Sequence, residues 1–125
     1  MGYNNLRKGR YSAREHEYLV TAVTSSRVPV FRDFSCARIL VAELRETSDA
    51  GLAEWLAWVI MPDHLHALLR LGPQGDLGKL MQALKGRSAR RINARRGASG
   101  SLWQPYFHDH ALRLEEDRLA VARYI

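Results

Sequence analysis

Residues 56–71 read Leu-Ala-Trp-Val-Ile-Met-Pro-Asp-His-Leu-His-Ala-Leu-Leu-Arg-Leu, and this stretch decides the fold. Its apolar, strand-like residues are interrupted at Met61-Pro62-Asp63, which predicts two strands that meet at a tight turn. Side chains alternate across a strand, so His64 and His66 project from one face and the residue between them from the other. Their backbones are then roughly 6 to 7 Å apart, and both imidazoles can reach one ion at roughly 2.0 to 2.2 Å. The stretch therefore predicts a hairpin with a two-point metal site.

The segments around this hairpin predict the remaining elements. The expected order is strand, helix, strand, strand, helix, strand and helix, over about residues 16–25, 33–47, 52–60, 63–71, 77–96, 106–113 and from 114 onward. Asp33 and Asp76 can cap the first two helices. An apolar stripe marks the first helix and consists of Phe34, Ile39, Leu40 and Leu44. This order is the split β-α-β pattern of an α+β, ferredoxin-like antiparallel sheet, β-α-β-β-α-β, with a C-terminal helix, and we expect one domain over residues 1–125.

Composition restricts the class of protein. The 125 residues contain 19 Lys plus Arg against 13 Asp plus Glu, a net charge of +6, and only three of the basic residues are lysines. Arginine suits phosphate oxygens, so this balance favours a polyanionic partner. The single Cys36 excludes an internal disulfide and indicates a small buried residue in a reducing compartment. No apolar run reaches the roughly 18 residues of a membrane span and no signal peptide is evident, so we expect a cytoplasmic protein without a membrane partner.

The basic residues are concentrated in two segments. Residues 77–96 contain seven of them and no acidic residue. The like charges of such a helix repel one another unless an anionic partner lies alongside. Residues 1–14 form a basic arm with interleaved tyrosines, which can track a phosphate backbone and stack on bases, or can be a solvated terminus. Both segments are candidate nucleic-acid contacts.

A second His-x-His pair lies in the predicted fourth strand. His108 and His110 share one face of that strand by the same alternation, so they rival the first pair as metal ligands. The fourth strand of a ferredoxin-like sheet is an edge and the third is central, which favours His64 and His66. His110 is a possible active-site neighbour. Tyr106 lies beside this second pair, where a packing or hydrogen-bonding role is the commoner fate of a tyrosine.

Five separated motifs together resemble one family. They are, in chain order, Asn5-Leu6-Arg7-Lys8-Gly9-Arg10-Tyr11-Ser12, Met61-Pro62-Asp63-His64-Leu65-His66, Leu102-Trp103-Gln104-Pro105, Phe107-His108-Asp109-His110-Ala111-Leu112-Arg113 and Tyr124-Ile125. The combination resembles the IS200-type tyrosine transposases within the HUH single-strand nuclease superfamily. It looks most like the REP-associated tyrosine transposases, and the resemblance covers nearly the whole chain.

The resemblance implies a metal-dependent single-strand DNA endonuclease and strand transferase that acts on hairpin-forming DNA in transposition and recombination. It implies that His64 and His66 hold Mg²⁺ or Mn²⁺. Tyr124, on the C-terminal helix, would attack phosphorus and leave a free 3′ hydroxyl and a 5′-phosphotyrosine. The basic residues expected to grip the DNA hairpin are Arg7, Lys8, Arg10, Lys85, Arg87, Arg90 and Arg91.

The family pattern also includes a third metal ligand, a Gln or Asn one helical turn after the nucleophile. The sequence stops before that position, so we expect a chain truncated after the nucleophile helix begins. Imidazole ligation then favours Mn²⁺ somewhat over Mg²⁺. The alternatives are a non-catalytic nucleic-acid-binding module with a degenerate or truncated site and, from a different class, a small metallohydrolase unrelated to DNA. The sequence leaves monomer or homodimer undecided.

Overall fold

The computed structural model describes residues 17–73 and 75–112, which form a four-stranded antiparallel sheet and two long helices. The elements are β1 (Glu17–Val23), α1 (Phe34–Asp49), β2 (Ala53–Met61), β3 (His64–Leu71), α2 (Leu77–Arg96) and β4 (His108–Ala111). The strand order is β2-β3-β1-β4, so β3 is central and β4 is an edge strand. The predicted α+β, ferredoxin-like order is confirmed for these elements. The predicted C-terminal helix lies outside the described residues.

The connection between β1 and α1 is not a simple turn. It contains two short 3₁₀ helices, Ser25–Arg27 and Val30–Arg32. Ser26 and Arg27 adopt positive φ angles of 54° and 52°, which non-glycine residues rarely do. This connection is held against the β2–β3 turn, because the backbone N–H of Phe31 donates to the carbonyl oxygen of Pro62 at 2.9 Å.

The β2–β3 hairpin turns at Pro62 and Asp63, and Met61 pairs with His64 across it. A bulge at Leu56 shifts the register between Trp55 and Ala57. Without the extra residue, positions 55 and 57 would share a face; with it, they point to opposite faces. The bulge therefore lets Trp55 face the helices while the rest of β2 stays in register with the histidine-bearing end of β3.

Both described helices pack on one face of the sheet. Alternate residues of β3, from Leu65 to Leu71, join the buried core, which the helices complete with Cys36, Leu40, Leu44, Leu77, Leu80, Met81, Leu84 and Ile92. The predicted apolar stripe of α1 is right for Leu40 and Leu44 but wrong for Phe34, whose side chain is 67% exposed. Phe34 is the first residue of the helix and lies outside the row that faces the sheet.

Local capping sets the helix ends. The Asp33 carboxylate accepts a hydrogen bond from the backbone N–H of Ser35, and Asp76 accepts one from Lys79, as their positions predict. Gly97 ends α2 with a φ of 63°, a left-handed conformation that glycine adopts without steric cost.

An ion-pair cluster joins α1 to α2. The Glu43 side chain is only 1% exposed, and its two oxygens accept hydrogen bonds from Arg87 Nε at 2.8 Å and from an Arg91 guanidinium N–H at 2.7 Å. Burial raises the pKa of Glu43, but the two arginines outweigh it, and the pKa ends below its ordinary value. Glu43 of α1 therefore neutralises part of the positive charge of α2, which has no acidic residue of its own.

No helix in the described part of the chain is both long enough and apolar enough to cross a bilayer.

Candidate active site

The two predicted ligand histidines lie on the face of the sheet opposite both described helices. On the central strand β3, His66 is directly opposite Thr21 of β1, and His64 is opposite Val23. Directly opposed residues of an antiparallel sheet share a face, so this row lies on the side away from Leu65 and the core. Both imidazoles are partly exposed, which leaves them accessible to a ligand.

His64 is oriented by its neighbour in the turn. Its Nδ1 lies 2.8 Å from one carboxylate oxygen of Asp63, while the other accepts a hydrogen bond from Arg27 at 3.2 Å. The hydrogen bond with His64, together with that from Arg27, holds the pKa of Asp63 below its ordinary value although partial burial raises it. The carboxylate is thus ionised at neutral pH and suited to accept a hydrogen bond from the Nδ1–H of His64.

His66 is oriented by a residue from another strand. Its Nδ1 lies 2.7 Å from the hydroxyl oxygen of Thr21. Burial, together with the nearby charge of His64, lowers the pKa of His66, so the ring is neutral at physiological pH. If His66 Nδ1 carries its proton and donates to Thr21, Nε2 keeps its lone pair for a ligand.

The two rings therefore have the hydrogen-bonding pattern that is typical of histidines that bind metals. Each engages Nδ1 in a hydrogen bond, and no partner among residues 17–73 and 75–112 contacts either Nε2. Metal-bound histidines usually donate their second ring N–H in this way, which fixes the tautomer and the ring orientation. The same residues contain no group of three or more His, Cys, Asp or Glu side chains that could hold a metal.

The second histidine pair shares this face. His108 is opposite Thr21 and His110 is opposite Leu19, so β4 presents both rings on the same side as His64 and His66. Two strand spacings, roughly 10 Å, separate the backbones of β3 and β4. His108 and His110 are exposed on an edge strand, and the Tyr106 ring makes an edge contact with His108 at 5.8 Å between centroids. The role of His110 as an active-site neighbour stays a prediction.

The predicted DNA-binding residues of α2 have different surroundings. Arg87 and Arg91 contact Glu43, although about half of each side chain remains exposed. Lys85 Nζ donates to the carbonyl oxygens of Gln104 and Tyr106 at 2.6 and 3.1 Å, and so holds the segment before β4. Arg90 is exposed, with no hydrogen bond or ion pair in the described part of the chain. Their contact with DNA stays a prediction, as it does for the residues outside the described ranges, Arg7, Lys8, Arg10 and the proposed nucleophile Tyr124.

Three residues that orient the histidines were absent from the sequence prediction of the site. The sequence could have indicated Asp63, because a carboxylate directly before a ligand histidine can reach its ring. It could not have indicated Thr21 and Arg27, because they lie 45 and 36 residues from their partners His66 and Asp63. Only the β1–β3 pairing and the β1–α1 connection bring them to the site.

Comparison with known proteins assigns the chain to a family. The sequence profile of the IS200-like transposases matches residues 12–125. The ISDra2 transposase TnpA of Deinococcus radiodurans is 32% identical over 88 residues, which are 66% of this chain and 62% of that protein. The chain therefore aligns with less than two thirds of the length of this curated relative.

Two solved structures are similar. A proposed transposase from Deinococcus radiodurans R1 superposes with a TM-score of 0.65 at 31% identity, over 86% of each chain. A REP-associated tyrosine transposase bound to a REP hairpin superposes with a TM-score of 0.74 at 22% identity, over 93% of this chain and 67% of that one, which shows a common fold. With the profile match over most of its length, the chain belongs to the IS200-like transposase family.

Proposed function

We propose that this protein is a cytoplasmic HUH endonuclease and strand transferase that acts, with a divalent metal ion, on single-stranded, hairpin-forming DNA. The observation that carries the proposal is the histidine pair on the central strand. His64 and His66 share one face, each has its Nδ1 engaged, by Asp63 and Thr21 respectively, and each can present Nε2 outward. Membership of a transposase family and the +6 net charge support DNA as the substrate.

His64 and His66 would hold the ion, Mg²⁺ or Mn²⁺, with further oxygen atoms from water and from the DNA phosphate. When bound, it would supply Lewis-acid polarisation of the scissile phosphate. Asp63 and Thr21 would keep the two rings in the tautomer and orientation that ligation needs. The low pKa of His66 favours the neutral ring, which is the form that binds metals.

Tyr124 would be the nucleophile. A phenol with a pKa of about 10 is roughly 0.1% ionised at neutral pH, so the reaction needs a cationic or basic neighbourhood that removes its proton. The tyrosine oxygen would form a bond to phosphorus while the bond from phosphorus to the 3′ oxygen breaks. The departing 3′ oxygen would take up a proton, and the 5′ phosphate would stay covalently on the protein.

The proposal is tested by detecting that covalent product. The protein is incubated with Mn²⁺ and a single strand that contains a hairpin and is labelled on the 5′-phosphate side of the cleavage site. A labelled band at the mass of protein plus DNA should appear on a denaturing gel and should be absent when EDTA replaces Mn²⁺. A label that never migrates with the protein over a range of hairpin sequences would refute the assignment.

A second candidate is a non-catalytic module that binds hairpin DNA. It is favoured by the lack of a three-ligand group among residues 17–73 and 75–112. If the protein is such a module, it should bind DNA equally well in EDTA and after His64→Ala, and no covalent adduct should form. Its binding should also show a salt dependence of about −0.7 in log–log slope for each single-strand phosphate neutralised.

The Asp63 carboxylate is expected to matter for metal affinity. Asp63→Ala removes the acceptor for His64 Nδ1 and leaves the ring free to rotate. Loss of such an outer contact usually weakens metal binding about 10- to 100-fold, and calorimetric titration with Mn²⁺ should show a loss of this size. The control is Asp49→Ala, which removes an exposed carboxylate at the far end of α1. Equal Mn²⁺ affinity in both variants would contradict the role of Asp63.

Arg90 offers a selective test of DNA binding by α2. Arg90→Gln removes a charge with no partner in the described part of the chain, so stability should be unchanged. If Arg90 contacts a phosphate of the hairpin, affinity should fall and the log–log salt slope should decrease by about one. Fluorescence anisotropy against salt concentration measures both, with the exposed Arg45→Gln on α1 as control. A slope identical to that of the unchanged protein would remove Arg90 from the interface.

A further inference from the structure

An exposed aromatic and basic surface lies at the start of α1, next to the β2–β3 turn that precedes His64. We define the α1 shoulder as Val28, Arg32, Phe34 and Arg38. Phe34 is 67% exposed and Val28 is 40% exposed, which makes them two of the five large hydrophobic residues exposed in the described part of the chain. Neither position is needed by the core, so the stability of the fold does not explain them.

The shoulder has a fixed position relative to the site. Thr24 donates from its backbone N–H and its hydroxyl to the carbonyl oxygen of Asp63, at 2.9 and 3.1 Å. Phe31 donates to the carbonyl oxygen of Pro62 at 2.9 Å, three residues before Phe34. The start of α1 is therefore bound to the same turn that orients His64 through Asp63.

The charge of this surface suits an anion. Arg32 and Arg38 are exposed, and the Arg38 guanidinium carbon lies 5.9 Å from the centre of the Phe34 ring. Asp33 accepts from the backbone N–H of Ser35, and Asp63 contacts His64 and Arg27, so neither carboxylate forms an ion pair with Arg32 or Arg38. The shoulder thus combines one exposed ring with two exposed arginines that lie within four residues of it in the chain.

Single-stranded DNA matches this combination. Its bases offer faces for stacking while its phosphates alternate with them, whereas a duplex hides the base faces. We propose that the α1 shoulder binds single-stranded DNA next to the β2–β3 turn, with a base stacked on Phe34 and phosphates contacted by Arg32 and Arg38. The proposal rests on the proposed function only in taking single-stranded DNA as the substrate.

The test measures binding in EDTA, so that cleavage does not contribute. A fluorescent oligonucleotide without a hairpin is titrated with the protein and with Phe34→Leu, whose stability should be unchanged because the ring is exposed. Stacking on one aromatic ring is worth about 1–3 kcal/mol, so Phe34→Leu should weaken binding roughly 5-fold or more. Arg38→Gln should reduce the log–log salt slope by about 0.7.

Two matched variants serve as controls. Trp58→Leu removes another exposed aromatic residue, on the edge strand β2, and Arg45→Gln removes another exposed arginine of α1; both should bind within about twofold of the unchanged protein. Binding of a blunt duplex should be insensitive to Phe34→Leu. An unchanged single-strand affinity of Phe34→Leu, or an equal loss with Trp58→Leu, would overturn the proposal. If Phe34→Leu binds normally but the protein still forms the covalent adduct, only the role of the shoulder is refuted. If Phe34→Leu weakens binding but no adduct ever forms, only the nuclease assignment is refuted.

Discussion

Replacement of Tyr124 by phenylalanine is expected to reduce the covalent protein–DNA adduct by at least about 10³-fold, because no other group then supplies the attacking oxygen. His64→Ala should reduce it at least about 100-fold by removing a ligand and not merely its support. Both variants should still bind the hairpin in EDTA. The rate of adduct formation, followed on denaturing gels with excess protein, measures these effects.

Tyr106→Phe is the matched control for the nucleophile. Tyr106 is 46% exposed, and its ring makes an edge contact with His108. The variant should form the adduct within a few-fold of the normal rate. If Tyr106→Phe abolishes the adduct while Tyr124→Phe retains it, the assignment of the nucleophile is wrong and the reaction belongs to the β4 side of the sheet.

Replacement of Glu43 by glutamine is expected to lower the free energy of unfolding by about 2 kcal/mol at pH 7, because two charge-assisted hydrogen bonds lose their ionised acceptor in a buried position. Glu46→Gln is the control on the same helix. Glu46 is exposed and its oxygen is 3.9 Å from Arg87, so the change should stay within about 0.5 kcal/mol. Urea unfolding of the two variants measures the difference.

The pH dependence of this effect has a definite sign. The pKa of Glu43 is lower in the folded protein than its ordinary value, so its contribution is fully present above the ordinary glutamate pKa of about 4.3. The contribution disappears as the pH falls through the lower, folded value. The unchanged protein and Glu43→Gln should therefore differ at pH 7 and converge in acid. A difference that grows below pH 4 would contradict the ion-pair interpretation.

The ion pairs of Glu43 also limit which arginines of α2 are available for contacts with DNA phosphates. Seven basic residues without an acidic one predicted a helix that needs an external anion, and the structure supplies part of that anion from α1. Arg87 and Arg91 stabilise the packing of α2 on α1 whether or not they also contact phosphate. Arg90 makes no such contact among the described residues, so its replacement tests DNA binding more selectively.

The sequence by itself determined the features that depend on short-range geometry. The period of two along β3 placed His64 and His66 on one face, and the capping positions of Asp33 and Asp76 set the helix starts. The order of elements predicted the sheet, with β3 in its centre. These inferences hold because each involves residues close in the chain, or a pattern repeated along one element.

Only the tertiary structure decided the features that depend on strand register and helix packing. Thr21 reaches His66 across 45 residues, and Glu43 meets Arg87 and Arg91 across 44 and 48. The exposure of Phe34 likewise contradicts its apolar character, because the orientation of α1 on the sheet chooses which residues of its first turn face inward. The sequence therefore predicts the two histidines, while the folded chain supplies the contacts that orient them and the exposed shoulder at the start of α1.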